Sequence, residues 1–471
     1  MGDQDGEAAL IRRTIHFLDS RTGAVLFVRK SLRYVFPDHW SFLLGEIAAY
    51  AFIVLVGTGV YLTFFFEPSL GETTYTGSYK PMQGLEMSEA YRSALDLSFD
   101  IPSGLLMRQT HHWASNVFVA AIVLHLLRVF FTGAFRKPRE LTWVLGLLML
   151  TATLLEGYLG YSMIDDLLSG IGLAIGYGVA LSLPVIGANL ALGIWGGPFP
   201  GDPTFESRMY VMHVFVLPII IGALMAAHLA LVASRHHAQF KAARSASERK
   251  LVGMPAYPAQ VPRSLGLLFA TAAVLFLLGG LFQINPIWQW GPFEVAQGTN
   301  GAQPDWYLGW LIGGLRLVPA FDVTIVDYIL VPNPFWGGAL FPIVVLAVLG
   351  AWPWIERRFG GGSESHNILD RPRDVPGRTA FGVAFFTWVA LIFIAGAADR
   401  ATVFFGLDYE AQTAFFRGAV IFVPIIAFFA TRRICRELKQ TEEIAIEQHH
   451  AEEEAKEEAE EAEREKEPAP A

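Results

Sequence analysis

The chain has 471 residues, 53% of them hydrophobic and only 17% charged, too apolar a balance for a water-soluble enzyme of this length. Its formal charge of −9 resides in the stretch from Thr441 onward, where 13 glutamates face Lys456, Arg464 and Lys466 and leave +1 for everything before. The acidity therefore says nothing about a substrate, no nucleic-acid partner is expected, and the lone Cys435 excludes an internal disulfide, a thiolate metal site or a cysteine-held cluster.

Residues 1–40 read as a charged cytoplasmic segment without a cleavable signal peptide. Eight apolar runs follow, at about 41–66, 109–134, 141–162, 208–233, 264–285, 334–355, 379–398 and 412–433. Each approaches the roughly 20 residues that a helix needs to cross the hydrocarbon core. The predicted class is an all-α polytopic membrane protein, with a four-helix bundle over 41–240 and a C-terminal transmembrane region over 264–435. A linker, 241–263, carries the hinge GMPAYPAQVPRS. Residues 163–207, interrupted by Pro184, predict one or two short helices at the outer surface, and 286–333 lie on the same side. The tail, 436–471, reads as a solvated helix or a disordered segment. Basic loops such as FRKPRE alternate with acidic or neutral ones, which places both termini in the cytoplasm.

Histidines inside membrane spans are costly and mark function by default. The second span holds His111, His112 and His125; the fourth holds His213 and His228. His111 and His125 are 14 residues apart, His213 and His228 are 15 apart. At about 100° and 1.5 Å per residue, each pair falls near one helix face with some 21 Å between its members. Two such helices running in the same direction set His111 level with His213 and His125 level with His228. Two imidazoles per level, with no carboxylate or thiol to complete a tetrahedron, suit two bis-histidine b haems better than zinc. His112, 13 residues from His125, points about 140° away and reads as an interface or propionate neighbour.

Glycine repeats the period. Gly45 and Gly59 in the first span, and Gly146 and Gly160 in the third, are each 14 apart. Helix packing by small residues would explain either pair alone; both together suit close approach of backbone to a flat macrocycle. Arg108 and Arg128 bracket the second span, each three residues outside a histidine, as counter-charges for propionates or as anchors of the helix ends.

These residues resemble cytochrome b, the haem-bearing core of cytochrome bc and bf complexes. The resemblance is carried by LHLLRVFFTGAFRKPRELTWVLG (124–146), MHVFVLP (212–218), GYSMIDDLLSG (160–170) and PDWY (304–307), and extends over roughly residues 30–435. HNILDRPRDVPGRTA resembles the actinobacterial branch. The resemblance implies a quinol:cytochrome c oxidoreductase core in a bacterial plasma membrane. It implies a Rieske iron–sulfur partner, a c-type cytochrome subunit, a homodimeric complex surrounded by lipid, and association with cytochrome c oxidase in a supercomplex.

Quinol would dock between PDWY and the end of the third span, with electrons divided between the Rieske protein and the two haems, and a quinone at the cytoplasmic face. Pro304, Asp305, Trp306, Tyr307 and Tyr161 would form the outer site. Asp305 would be the proton acceptor, its pKa raised by burial, although a helix N-cap after Pro304 fits the local pattern as well. Aspartate in place of the usual glutamate implies menaquinone. Ile164 and Asp165 depart from the family's Pro-Trp. Leu43 stands near where some relatives carry cysteine, so no covalent third haem is expected. Arg235, His236 and His237, with Arg21 and Lys30, are candidates for the inner quinone site, or simply positive residues of the inner face. The residues alone also admit a haem b anchor of another quinone-linked dehydrogenase, or a proton-coupled transporter.

Overall fold

The computed structural model describes residues 2–241, 247–297, 303–360 and 364–464. Within them the protein is an all-α polytopic membrane protein with eight helices long and apolar enough to cross a membrane: Trp40–Thr63, Gly104–Phe131, Glu140–Ser162, Phe205–Arg235, Ala256–Leu281, Phe335–Gly360, Pro376–Ala395 and Tyr409–Ala459. All eight sequence-predicted spans are present. The fifth begins earlier than expected: the hinge after Pro255 passes through an extended kink at Tyr257 (φ −120°, ψ 136°) and then continues into the helix Val261–Leu281. The eighth runs without a break into the acidic tail as far as Arg464, the solvated-helix alternative; residues 465–471 of that tail lie outside the described residues.

The segment before the first span is itself helical, Gly2–Thr22 and Ala24–Leu32. The 163–207 segment forms two short helices, Leu167–Leu181 and Gly187–Trp195, with Pro184 in the turn between them. Asp166 caps the first by accepting from Ser169 N at 2.8 Å. The loop between the first two spans carries a helix, Glu89–Phe99, and a small hairpin, Glu72–Thr74 with Glu86–Ser88. A second hairpin pairs Val323–Ile325 with Tyr328–Val331. Neither hairpin was anticipated, since their strands are only three or four residues long.

The first span packs along the second and the third along the fourth, while the two pairs touch each other sparingly; the fifth covers the first two and the sixth the third. Midway through the bilayer the bundle closes on Ala48, Ala51, Val54, Ala114, Phe118, Ala121, Ile221 and Leu275, a dry cluster in which small residues of the first two helices admit the large ones.

At the face carrying the basic loops, Arg378 is buried and donates to both Glu356 oxygens (3.0 and 2.9 Å) and to Asp370 (2.8 Å), which also pairs with Arg136 at 3.0 Å. This network ties the loop after the second span to the sixth and seventh helices. Removing one member of such a buried pair leaves the other charge uncompensated, at a cost of about 3–5 kcal/mol. Arg378→Met is therefore expected to lower the thermal midpoint of the solubilised protein clearly, and Arg433→Met, whose pair with Glu437 is exposed, to leave it unchanged; equal midpoints would show that the network is not structural.

Candidate functional site

The fourth span departs from α-helix once, in a π-turn over Met212–Val216 that contains His213. A π-turn accommodates one extra residue. It therefore brings the 15-residue spacing of His213 and His228 into register with the 14-residue spacing of His111 and His125. The rings of His111 and His213 face one another with centroids 6.3 Å apart and planes at 76°. Two metal–nitrogen bonds of about 2 Å each, with the ring radii added, come to this separation.

The Nδ1 edges of these two rings are engaged away from the gap. His111 Nδ1 lies 2.9 Å from Thr58 Oγ1, whose hydroxyl also reaches Val54 O at 2.7 Å, and His213 Nδ1 lies 3.1 Å from Glu156 O and 3.0 Å from its carboxylate. Such anchoring fixes ring orientation and leaves Nε2 of each ring as the nitrogen available to a ligand. Neither Thr58 nor Glu156 was singled out in the sequence, because each depends on a contact with another helix.

Every sequence-predicted glycine lies against a sequence-predicted histidine. A β-carbon on Gly59 would stand 3.2 Å from His111 Cε1, one on Gly45 3.3 Å from His125, one on Gly146 3.6 Å from His228, and one on Gly160 would clash outright with His213. Each glycine thus keeps a histidine level clear of side-chain atoms on the first and third spans. The mid-bilayer apolar cluster separates the two levels.

Arg108 and Arg128 are buried at the two ends of the second span. Arg108 Nη1 donates to Asn285 O at 3.2 Å, but its Nε and Nη2 have no hydrogen-bond partner; Arg128 lies 4.0 Å over Phe42 and its Nη2 likewise has none. Unpaired buried guanidinium N–H groups are costly. At each histidine level an anionic group would satisfy them. A facing imidazole pair at the outer level, a glycine against each of the four histidines and orphaned cationic donors at both ends of the second span fit two haems with paired propionates.

Beside the outer pair, Asp305 corrects two expectations. It precedes the short turn Trp306–Leu308 without capping it. Instead Oδ1 lies 2.6 Å from His112 Nε2, and Oδ2 accepts from the Tyr307 hydroxyl at 2.8 Å. Burial pushes the carboxyl upward, but the His112 imidazole and the hydrogen bonds from His112 and Tyr307 outweigh it, so its pKa lies below the ordinary carboxylate value and not above it. His112 therefore belongs to this pocket through its contact with Asp305. Its partner was discoverable in principle, since an imidazole pointing away from the ligand face inside a span must still find a polar group.

Tyr307 is buried against Gly157 of the third span, Trp306 is exposed, and Pro304 leads into the turn. Tyr161 is buried in the same region, its hydroxyl donated to Leu168 O at 2.7 Å. Ile164 packs against the cluster around Tyr91 and Ile287, and Asp165 turns the chain with φ 58°; burial raises the Asp165 carboxyl to about 6.

At the basic face, Lys30, Arg235, His236 and His237 line one cavity of about 640 Å³ with Arg33 and Tyr34. Arg21 is not among its lining residues; its guanidinium lies 3.8 Å over Phe17.

The family model described as "Cytochrome b(N-terminal)/b6/petB" matches residues 116–292. A cytochrome bc1 complex cytochrome b subunit from Streptomyces coelicolor is 44% identical over 435 residues, covering 92% of this chain and 79% of that one. Those of Mycobacterium tuberculosis and Corynebacterium efficiens are each 43% identical, covering 93% and 91% of this chain and 79% of theirs. Among solved structures, a chain of a hyperthermophilic respiratory Complex III aligns with a TM-score of 0.66 at 20% identity, covering 89% of this chain and 99% of that one, a likeness of fold. Sequence identity of this extent, on a fold of eight membrane-spanning helices with His111 facing His213, places the chain in the cytochrome b family of bc1-type complexes.

Proposed function

We propose that this chain is the quinol-oxidising, membrane-crossing core of a menaquinol:cytochrome c reductase in a bacterial plasma membrane, with both termini cytoplasmic. Membership of the cytochrome b family implies haem b and quinone binding and an oxidoreductase complex. The observation that carries the finer reading is the facing of His111 and His213 together with the glycine set against each of His111, His213, His125 and His228. His111, His213, His125 and His228 would be the axial ligands, with Arg108 and Arg128 holding propionates and no covalent third haem. Bound haem supplies one-electron transfer from one face of the bilayer to the other.

At the outer site Asp305 stays ionised beside His112, oriented by Tyr307, and takes a proton from the quinol hydroxyl. Tyr307 and Tyr161 wall the pocket, and Pro304 and Trp306 set the turn. One electron from each quinol leaves to a Rieske iron–sulfur protein and on to a c-type cytochrome; the other crosses to an inner quinone site. Quinol protons released outside and protons taken up inside give a proton motive force. The complex would be a homodimer in lipid, joined to cytochrome c oxidase.

Asp305→Asn should lower naphthoquinol:cytochrome c turnover by roughly a hundredfold, the lower range for loss of a positioned base, with the b-haem bands unchanged; undiminished turnover would remove Asp305 from the reaction. Gly160→Val places side-chain atoms on His213. It should halve the haem b content measured by pyridine haemochrome, whereas a full complement would show that close approach at Gly160 is not required.

A further inference from the structure

The inner end of the first span carries a carboxylate that the outer chemistry does not use. Glu46 lies next to Gly45, which backs His125, and faces the fifth span. Its Oε1 accepts from Gln260 Nε2 at 2.9 Å, and its Oε2 accepts from Ser264 Oγ at 2.8 Å and from the Tyr50 hydroxyl at 3.1 Å. Gln260 also donates to Ser264 at 3.2 Å and is itself buried. No cation pairs with Glu46 among the described residues, so the carboxylate is not there to neutralise one. A carboxylate offers about four lone-pair sites; three are occupied, and one is left for another group.

One turn before Glu46, Phe42 meets the His237 ring at 5.6 Å and carries Arg128 on its face, while His39 lies 4.5 Å from Phe240. Tyr34 joins this aromatic wall to the basic cavity through its hydroxyl, 3.3 Å from His237 Nδ1. The cavity, about 640 Å³, is lined by the charged residues of the basic face. The inner end of the bundle thus carries a half-buried, oriented carboxyl on the first span and, one turn away across the aromatic wall of Phe42 and Tyr34, a polar cavity that reaches His237.

From this juxtaposition we infer that Glu46, oriented by Gln260, Ser264 and Tyr50, is the residue that hands a proton to a quinone carbonyl oxygen at the inner site. The inference rests on the inner quinone site proposed above. Reduction of the quinone to quinol takes two electrons, supplied by quinol oxidised at the opposite face, and two protons. Glu46 gives one proton to one carbonyl oxygen and regains it from the aqueous face by way of the cavity; the second proton enters by the same cavity. A carboxylate in a membrane span that served only to join two helices would be an expensive choice where an amide or hydroxyl suffices.

The test uses the intact complex in detergent, its b haems reduced by dithionite, freed of excess reductant and mixed with 2,3-dimethyl-1,4-naphthoquinone while haem reoxidation is followed by stopped flow. Glu46→Gln should slow reoxidation by roughly a hundredfold, with haem content and the rate of haem reduction by naphthoquinol at the outer site unchanged. Glu46→Asp should restore most of the rate, and Ser264→Ala should fall between. Reoxidation of Glu46→Gln at the wild-type rate would overturn the assignment. So would loss of the b-haem band in both Glu46→Gln and Ser264→Ala, the mark of a purely structural cluster. A wild-type complex without b haem, or one whose haem naphthoquinol does not reduce, would instead overturn the proposed function and this inference with it.

Discussion

Four half-buried imidazoles, each set against a backbone position without a side chain, impose the constraint from which the rest of the bundle follows. An imidazole inside hydrocarbon needs a polar partner on one nitrogen and, to ligate, a clear path from the other. Thr58 and Glu156 meet the first need at the outer level; Gly59 and Gly160 meet the second. Because each glycine must stay level with its histidine, the first, second and third spans share a 14-residue period, and the fourth reaches the same register by its π-turn at Met212–Val216. The apolar cluster of Ala48, Ala51, Val54, Phe118 and Leu275 fills the interval and keeps polar groups to the two levels.

Charge is distributed around that column with the same economy. Arg108 and Arg128 sit at its two ends with unpaired donors aimed inward, which is stable only if an anion meets them. At the outer end Asp305 is held by His112, the neighbour of His111 in sequence and about 100° round the helix from it. One turn of the second span thereby faces two ways: His111 toward His213 of the fourth span and His112 toward Asp305. At the basic end, the Arg378–Glu356–Asp370 network fixes the helices whose loops form that face.

The frame of the molecule was legible in the sequence because membrane spans must satisfy their backbone internally and are therefore long, apolar and regular. Periodicity alone set His111 apart from His112, and showed that both glycine pairs repeat the histidine spacing, which the structure resolves into one glycine against each histidine. Periodicity could not show the π-turn, because MHVFV carries no proline or glycine to mark it and its effect is visible only against a second helix. It also missed His112, Glu156 and Glu46, whose partners lie 193, 57 and 214 residues away in the chain. The raised pKa expected of Asp305 failed for the same reason: burial was foreseen and its imidazole neighbour was not. The hairpins at 72–88 and 323–331 and the helix Glu89–Phe99 are short elements set by local packing, beneath what hydropathy resolves.

The central claim is that two bis-histidine haems stand one above the other within this single chain. Electron paramagnetic resonance of the oxidised complex, with haem b quantified per chain on the same sample, tests it most directly. The account predicts two haem b per chain, both low-spin with two axial nitrogen ligands, and two resolved components. One haem per chain, or a high-spin signal from a haem lacking a second axial ligand, would contradict it.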